Sequence, residues 1–210
     1  MSKPGIILIG AGGHAKSVID VVEQEGKYQI MGLIGIPEEV QSKCLDYPII
    51  GTDGDLFKIA KICNHAIITL GQIKSPKARM RLYEGAIKVG FQLPTIVSPL
   101  SYVSRHATLD VGSVVMHGAI INAGAKVGIN CIINSRALLE HGAIVSDHCH
   151  ISTGVILNGD VCVGAGSFVG SSSTVKEGVE IGQHCVIGMG LSVRLNQPDG
   201  SCLKDNCKND

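Results

Sequence analysis

The sequence has no tryptophan, only four tyrosines and three phenylalanines, and no run of lysine or arginine in its 210 residues. So few large aromatics imply a narrow core, filled by Ile, Val and Ala. Basic and acidic side chains balance at 18 each, which leaves no electrostatic footprint for nucleic acid or an anionic membrane. Small partners are favoured over polyanions. The start MSKPG lacks a charged segment followed by an apolar one, and GIILIGAGG is too short to span a bilayer. The expectation is a cytoplasmic protein without a membrane segment. Eight cysteines show no CxxC pair and no metal-ligand spacing, so they are expected to be reduced thiols.

What is present is glycine, 27 residues of it, and two halves that follow different patterns. GIILIG is an apolar run ending in glycine, and HAKSVIDVVEQEG follows with Val18, Val21 and Val22 at helical spacing. YQIMGLIG and HAIITLG read as further strands. SPKARMRLYEGAIKVG reads as a helix opened by Ser-Pro and closed by Gly90. Strands alternating with helices predict an α/β domain with a parallel, Rossmann-like sheet over residues 1–95. FQLPTIVSPL is the join.

From Val97 to Val193 every sixth residue is aliphatic, without a missed step. Four residues after most of them stands a small residue, such as Ser113, Ala119, Cys131, Cys149 or Cys185. Both positions are expected to face one narrow interior, which makes the three cysteines core residues. A glycine or polar residue often follows the aliphatic one directly, as at Gly128, Asn134, Gly164 and Gly170, where a turn is expected. This register resembles the hexapeptide-repeat left-handed parallel β-helix, with three hexads per triangular coil, over residues 96–195. Residues 196–210 are expected to be a C-terminal tail carrying Cys202 and Cys207.

In the hexad frame His117 and His141 lie two residues past the aliphatic position, at corners where side chains project outward. His148 and His150 belong to the next hexad. On the residues alone these histidines could be metal ligands, solvated surface groups or a general base near neutral pH. No His-x4-His pair, as in the hexapeptide-repeat carbonic anhydrases, is present, and no metal is expected. Stacking singles out His141. One coil further on, Gly159 should lie beside it, offering a backbone amide to an oxyanion next to a base. In the first half, the GAGGH loop with Gly12, Gly13 and His14 opens a helix where backbone amides can receive a phosphate or carboxylate. It is not a complete GxGxxG. Gly71 and Gln72, in LGQIKSPKAR with Arg79, follow a parallel strand and form a second candidate substrate edge.

NSRALLEHG, HCHISTGVILNGDV and GAGGH together resemble the bacterial sugar acyltransferases of the sialic acid O-acetyltransferase type. These are relatives of the acetyltransferases that modify nucleotide-linked amino sugars. The resemblance implies a homotrimer with acetyl-CoA in the groove between subunits, and an N-terminal domain that presents the sugar. It implies His141 as base, Asn134 and His150 lining the acetyl-CoA and catalytic pocket, and the Gly159 amide on the thioester oxygen. Many amino-sugar relatives carry an acidic residue directly after the base, where this chain has Gly142. The expected activity is therefore O-acetylation of a sialic acid-like surface sugar. N-acetylation of a UDP-linked 4-amino sugar, or a non-catalytic role beside a sugar-pathway enzyme, are the alternatives.

Overall fold

The computed structural model describes residues 2–204. Two compact units result, Met1–Gly71 with Lys77–Pro99, and Gln72–Pro76 with Leu100–Asp210.

The first unit is an α/β sheet. Its elements are β1 (Gly5–Ile9), α1 (Gly13–Glu25), β2 (Gln29–Ile34), β3 (Lys43–Cys44), β4 (Tyr47–Gly51), α2 (Leu56–Ile59), β5 (His65–Ile68) and α3 (Lys77–Lys88). The strand order is β3-β4-β2-β1-β5, parallel except for the β3–β4 pair. β1 is central, and its Ile6, Ile7, Leu8 and Ile9 are all at most 1% exposed. A strand buried on both faces cannot alternate, which is why GIILI reads as one apolar run. α1 buries Ala15, Val18, Ile19, Val21 and Val22 as one stripe. Gly26 stops it in the left-handed conformation at φ 69°, returning its N–H to the Val22 carbonyl at 3.1 Å. The β3–β4 hairpin and α2 have no counterpart in the sequence reading. Pro48 and strands as short as two residues hide them.

The second unit is the left-handed parallel β-helix. Between Tyr102 and Val193 two-residue strands recur every 18 residues on each of three faces, always parallel and without slippage, as in Ile120↔Leu138, Leu138↔Ile156 and Ile132↔His150. The aliphatic positions point inward, and Val127, Ile133, Leu139, Ile151, Leu157 and Val163 have no exposed surface. The small positions also face inward. Ser113, Ser167 and Ser173 donate from Oγ to the carbonyls of Gly128, Gly182 and Gly188 at 2.7–2.8 Å. Cys131 and Cys149 do the same from Sγ to Ser146 and Gly164 at 3.1 Å. The slot thus takes residues small enough for the prism, several of which satisfy a corner carbonyl that no ladder reaches. Both cysteines are fully buried, and burial, then the neighbouring Cys131, push the Cys149 thiol well above its ordinary range.

Two details differ from the sequence reading. The left-handed corner residue lies three positions past the aliphatic one, as at Asn130, Arg136, Gly142, His148 and Asp160. The glycines directly after the aliphatic residue answer to close stacking instead. A Cβ on Gly164 or Gly170 would lie 2.5 or 2.6 Å from a carbonyl carbon of the next coil. The second difference is the segment after Leu195. Gln197 bridges Ile181, and Cys202–Leu203 pairs with Val186–Ile187, so the prism continues where a tail is expected. Cys202 is a strand residue, while Cys207 lies outside the described residues. No described helix is long and apolar enough to cross a membrane.

Candidate active site

The strand Leu138–Leu139 ends at the corner that carries Glu140 and His141. Leu139 is anchored inside, so the next two side chains turn outward, and His141 is exposed. Glu140 is held beside it. Its Oε2 accepts from Asn122 Nδ2 at 2.9 Å and from the His141 N–H at 3.4 Å.

Gly159 lies against the imidazole, as stacking requires. A Cβ built there would sit 2.5 Å from His141 Cε1 and 2.7 Å from Nε2, so the ring occupies the space of the missing side chain. The coil ladder passes over the Gly159 amide: Asn158 N–H donates to Val175, and Asp160 N–H donates to the His141 carbonyl at 3.0 Å. A base nitrogen and an uncommitted main-chain donor therefore adjoin each other. That pairing suits attack on a carbonyl, where one group takes a proton and the other receives developing negative charge.

Gly142, the residue that departs from the amino-sugar pattern, has a local cause. It takes φ 68°, and the Asp160 carboxylate from the next coil fills the place of its Cβ. An acidic side chain at 142 would meet that of Asp160. The sequence reading does not reach Asp160, because only the folded coil shows which way its side chain turns.

Asn134 and His150 form a second cluster. His150 is 7% exposed, its ring edge-on to Phe168 with centroids 5.2 Å apart. Its Nδ1 lies 2.6 Å from the Gln72 carbonyl. A carbonyl only accepts, so Nδ1 carries the proton and neutral His150 presents an unprotonated Nε2. That nitrogen is 3.2 Å from Asn134 Nδ2, while Asn134 Oδ1 accepts from the Ser135 N–H at 2.8 Å. The amide and imidazole orientations agree at these three contacts. His150, Ser152, Phe168, Ile73, Lys74 and Lys204 are among the residues lining a cavity of about 670 Å³ in this unit. His148 is a corner residue at φ 58°, with Nδ1 3.0 Å from Asn130 Nδ2.

Within one chain the two clusters do not meet. Asn134 stands at the corner before Leu138–Leu139 and His141 at the corner after it, so one side of the prism separates them. Among the described residues, no group of three His, Cys, Asp or Glu could hold a metal ion.

In the α/β unit, Gly12 caps α1 in an extended conformation, and space is open around the missing side chains of Gly12 and Gly13. His14 packs on Gly71, with its Cβ 3.6 Å from where a Gly71 Cβ would be. Gln72 does not join them. It is 4% exposed within the β-helix unit, where its Nε2 donates to the carbonyls of His148 and Gly166 at 3.0 and 3.3 Å. Arg79 is equally committed, its Nη1 donating to the Ile68 and Leu70 carbonyls at 2.8 Å each. A cavity of about 280 Å³ opens at the carboxyl ends of the strands, lined by Gly10, Gly12, Gly35, Ile36, Glu39 and Arg81 among others. Glu39 is the residue here that the sequence reading misses. The short turn Pro37–Glu39 folds its carboxylate back, and Oε2 accepts from the Ile36 N–H at 3.1 Å.

Comparison with known proteins agrees with this anatomy. Residues 5–85 match the family described as the PglD N-terminal domain, and residues 160–194 match the hexapeptide repeat of succinyl-transferase. PerB from Caulobacter crescentus, solved in complex with CoA and GDP-perosamine, is 29% identical over 96% of this chain and 94% of its own, with a TM-score of 0.88. A histidine-to-asparagine mutant of perosamine N-acetyltransferase from the same organism, also with CoA and GDP-perosamine, is 28% identical over 96% and 93%, with a TM-score of 0.88. The acetyltransferase domain of PglB from Neisseria gonorrhoeae FA1090, solved with acetyl coenzyme A, is 27% identical over 96% of each chain, with a TM-score of 0.87. Two matched modules and end-to-end likeness to solved acetyltransferase structures make this chain an acyltransferase of hexapeptide-repeat architecture.

Proposed function

We propose that the protein transfers the acetyl group of acetyl-CoA to the amine of a nucleotide-linked amino sugar. The observation that carries this is the His141 imidazole lying in the space left by the Gly159 side chain. In the proposed step the amine nitrogen attacks the thioester carbonyl carbon while His141 takes a proton from it. The Gly159 N–H donates to the resulting oxyanion. Collapse breaks the carbon–sulfur bond, and the CoA thiolate recovers the proton from His141. The products are the N-acetylated sugar and CoA, and no acyl-enzyme is needed. The cavity beside His150 suits the extended arm of CoA, with Lys74 and Lys204 available to its phosphates.

The amine is favoured over a sialic acid hydroxyl because the relatives solved with a sugar nucleotide are an N-acetyltransferase and PerB, each with GDP-perosamine. The Glu140-His141-Gly142 order is what supports the O-acetylating alternative. A homotrimer is part of the proposal. The outward row Tyr102, Ile120, Leu138 and Ile156 is an apolar stripe, with Tyr102 59% and Ile120 40% exposed. It lies between the His141 corner and the Asn134–His150 corner. Packing copies along this stripe would bring the base of one chain toward the acyl pocket of the next.

The test is thiol release from acetyl-CoA with UDP- and GDP-linked 4-amino sugars and with free and CMP-activated sialic acids, beside His141→Ala. Release with the amino sugars alone, lost by about 10²–10⁴-fold in the variant, is expected. Release only with the sialic acids would replace this reading by the O-acetylating one.

A further inference from the structure

We infer that Gln72 is a positioning residue for the acyl donor: its carbonyl fixes the tautomer of His150, and this leaves one N–H of Asn134 to donate to a carbonyl oxygen of acetyl-CoA. The inference rests on acetyl-CoA as the donor in the reaction proposed above, and on neither choice of acceptor. It starts from the row in which His150 stands. Val114, Ile132, His150 and Phe168 follow one another along one face of the prism, and none is more than 8% exposed. An imidazole set in an apolar row needs a partner for each nitrogen. The identity of those partners decides where its one proton sits.

The partner of Nδ1 comes from Gln72, in the segment Gln72–Pro76 of the β-helix unit. The side chain of Gln72 pins that segment at the Gly166 corner. Its Nε2 donates to the carbonyls of His148 and Gly166 at 3.0 and 3.3 Å, and Pro76 Cγ lies 3.0 Å from where a Gly166 Cβ would stand. Oε1 is buried and has no hydrogen-bond partner among the described residues, so the amide is held by its donor side alone. Pinned in this way, the main chain of Gln72 sets its carbonyl 2.6 Å from His150 Nδ1, and Ile73 and Lys74 follow as part of the cavity wall.

From that carbonyl onward each hydrogen bond has one possible direction. His150 Nδ1 donates, so the neutral ring keeps Nε2 as an acceptor, and Asn134 Nδ2, 3.2 Å away, donates to it. Asn134 Oδ1 accepts from the Ser135 N–H at 2.8 Å, which holds the amide the same way round. An amide nitrogen carries two hydrogens, and His150 takes one of them. The second meets no acceptor among the described residues. Asn134 is only half-buried at its corner, beside a histidine that lines the cavity, so this hydrogen is open to a ligand. Carbonyl oxygens accept such a bond, and acetyl-CoA carries them in its thioester and in the amides of its arm. With the other tautomer, Nε2 would present a hydrogen to Asn134. The amide would then have to turn over, and the ligand would meet its oxygen instead.

Nitrogen NMR spectra of the intact protein, labelled on histidine and held at about pH 8.5 so that imidazoles are neutral, read the tautomer directly. The His150 signals are those absent from His150→Gln. The wild type should carry its proton on Nδ1, and Gln72→Leu, which keeps the bulk without the amide, should show a mixture of tautomers. In calorimetric titrations Gln72→Leu should bind acetyl-CoA about tenfold more weakly, the loss expected for one misdirected hydrogen bond. Because the effect runs through Asn134, adding Gln72→Leu to Asn134→Ala should cost no more than about twofold beyond Asn134→Ala alone. Titration with CoA locates the acceptor: an equal loss assigns the bond to an amide of the arm, and a loss confined to acetyl-CoA assigns it to the thioester. Melting curves check that the variants fold, and the wild-type tautomer decides without them. A proton on Nε2 in the wild type, unchanged affinity in a folded Gln72→Leu, or losses that multiply with Asn134→Ala overturn the assignment and leave the transfer reading standing. If the wild type does not bind acetyl-CoA, both fall.

Discussion

The two units bury parallel strands by opposite means. In the α/β unit the strands are four to six residues long near the centre, and large side chains on both faces of β1 are covered by other elements. In the β-helix each strand has two residues, one face turned to an interior that admits only aliphatic and small residues, the other turned out. Stability in the first unit comes from side-chain volume. In the second it comes from repetition, since a single coil could not bury its own interior. The outer surface follows the same division. Nothing apolar on β1 is left open, whereas Tyr102 and Ile120 are substantially exposed along one side of the prism.

That contrast can be broken at its open side first. Leu138→Asp places a charge in the middle of the outward apolar row without touching the inward Leu139. The expected outcome is loss of association in sedimentation and near-complete loss of thiol release, with the monomer still folded by circular dichroism. A fully active monomer would show that the apolar row serves something other than assembly.

A smaller effect sharpens the difference between the interiors. Ile7→Ala in β1 should cost about 2–5 kcal/mol, the usual range for emptying a large buried site. Cys149→Ala removes only a sulfur and should cost less, while Cys149→Leu forces a large residue into the slot and should cost about 1–3 kcal/mol. Denaturant melts with equal slopes would read all three. If Cys149→Leu were neutral, the prism interior would have room that the repeat does not imply.

The same contrast sets how much could be read without coordinates. Every residue from Val97 to Val193 has its direction fixed by its place in a hexad, so the buried cysteines, the outward His141 and its contact with Gly159 follow from counting. Counting fails where the spacing lapses. After Val193 the next coil is reached through Gln197 rather than an aliphatic residue, and the continuation through Cys202–Leu203 is invisible to the period. In the α/β unit the long strands and helices declare themselves, but the site does not. Glu39 reaches the cavity only because a short turn folds it back, and Gln72 follows a strand of one unit yet is buried in the other. His150 is legible as a pocket residue only by resemblance. Its tautomer depends on the Gln72 carbonyl, 78 positions away in sequence.

The most direct test of the account is kcat/KM for His141→Ala, Gly159→Ala and the double variant with a nucleotide-linked amino sugar. A methyl group at 159 must push the imidazole aside, so the single Gly159 change should cost about 10²-fold or more. Once the ring is gone the methyl has little left to displace. The double variant should then be about as impaired as His141→Ala alone, a strong departure from additivity. Losses that simply multiply, or a fully active Gly159→Ala, would contradict the claim that these two residues form one acyl-transfer site.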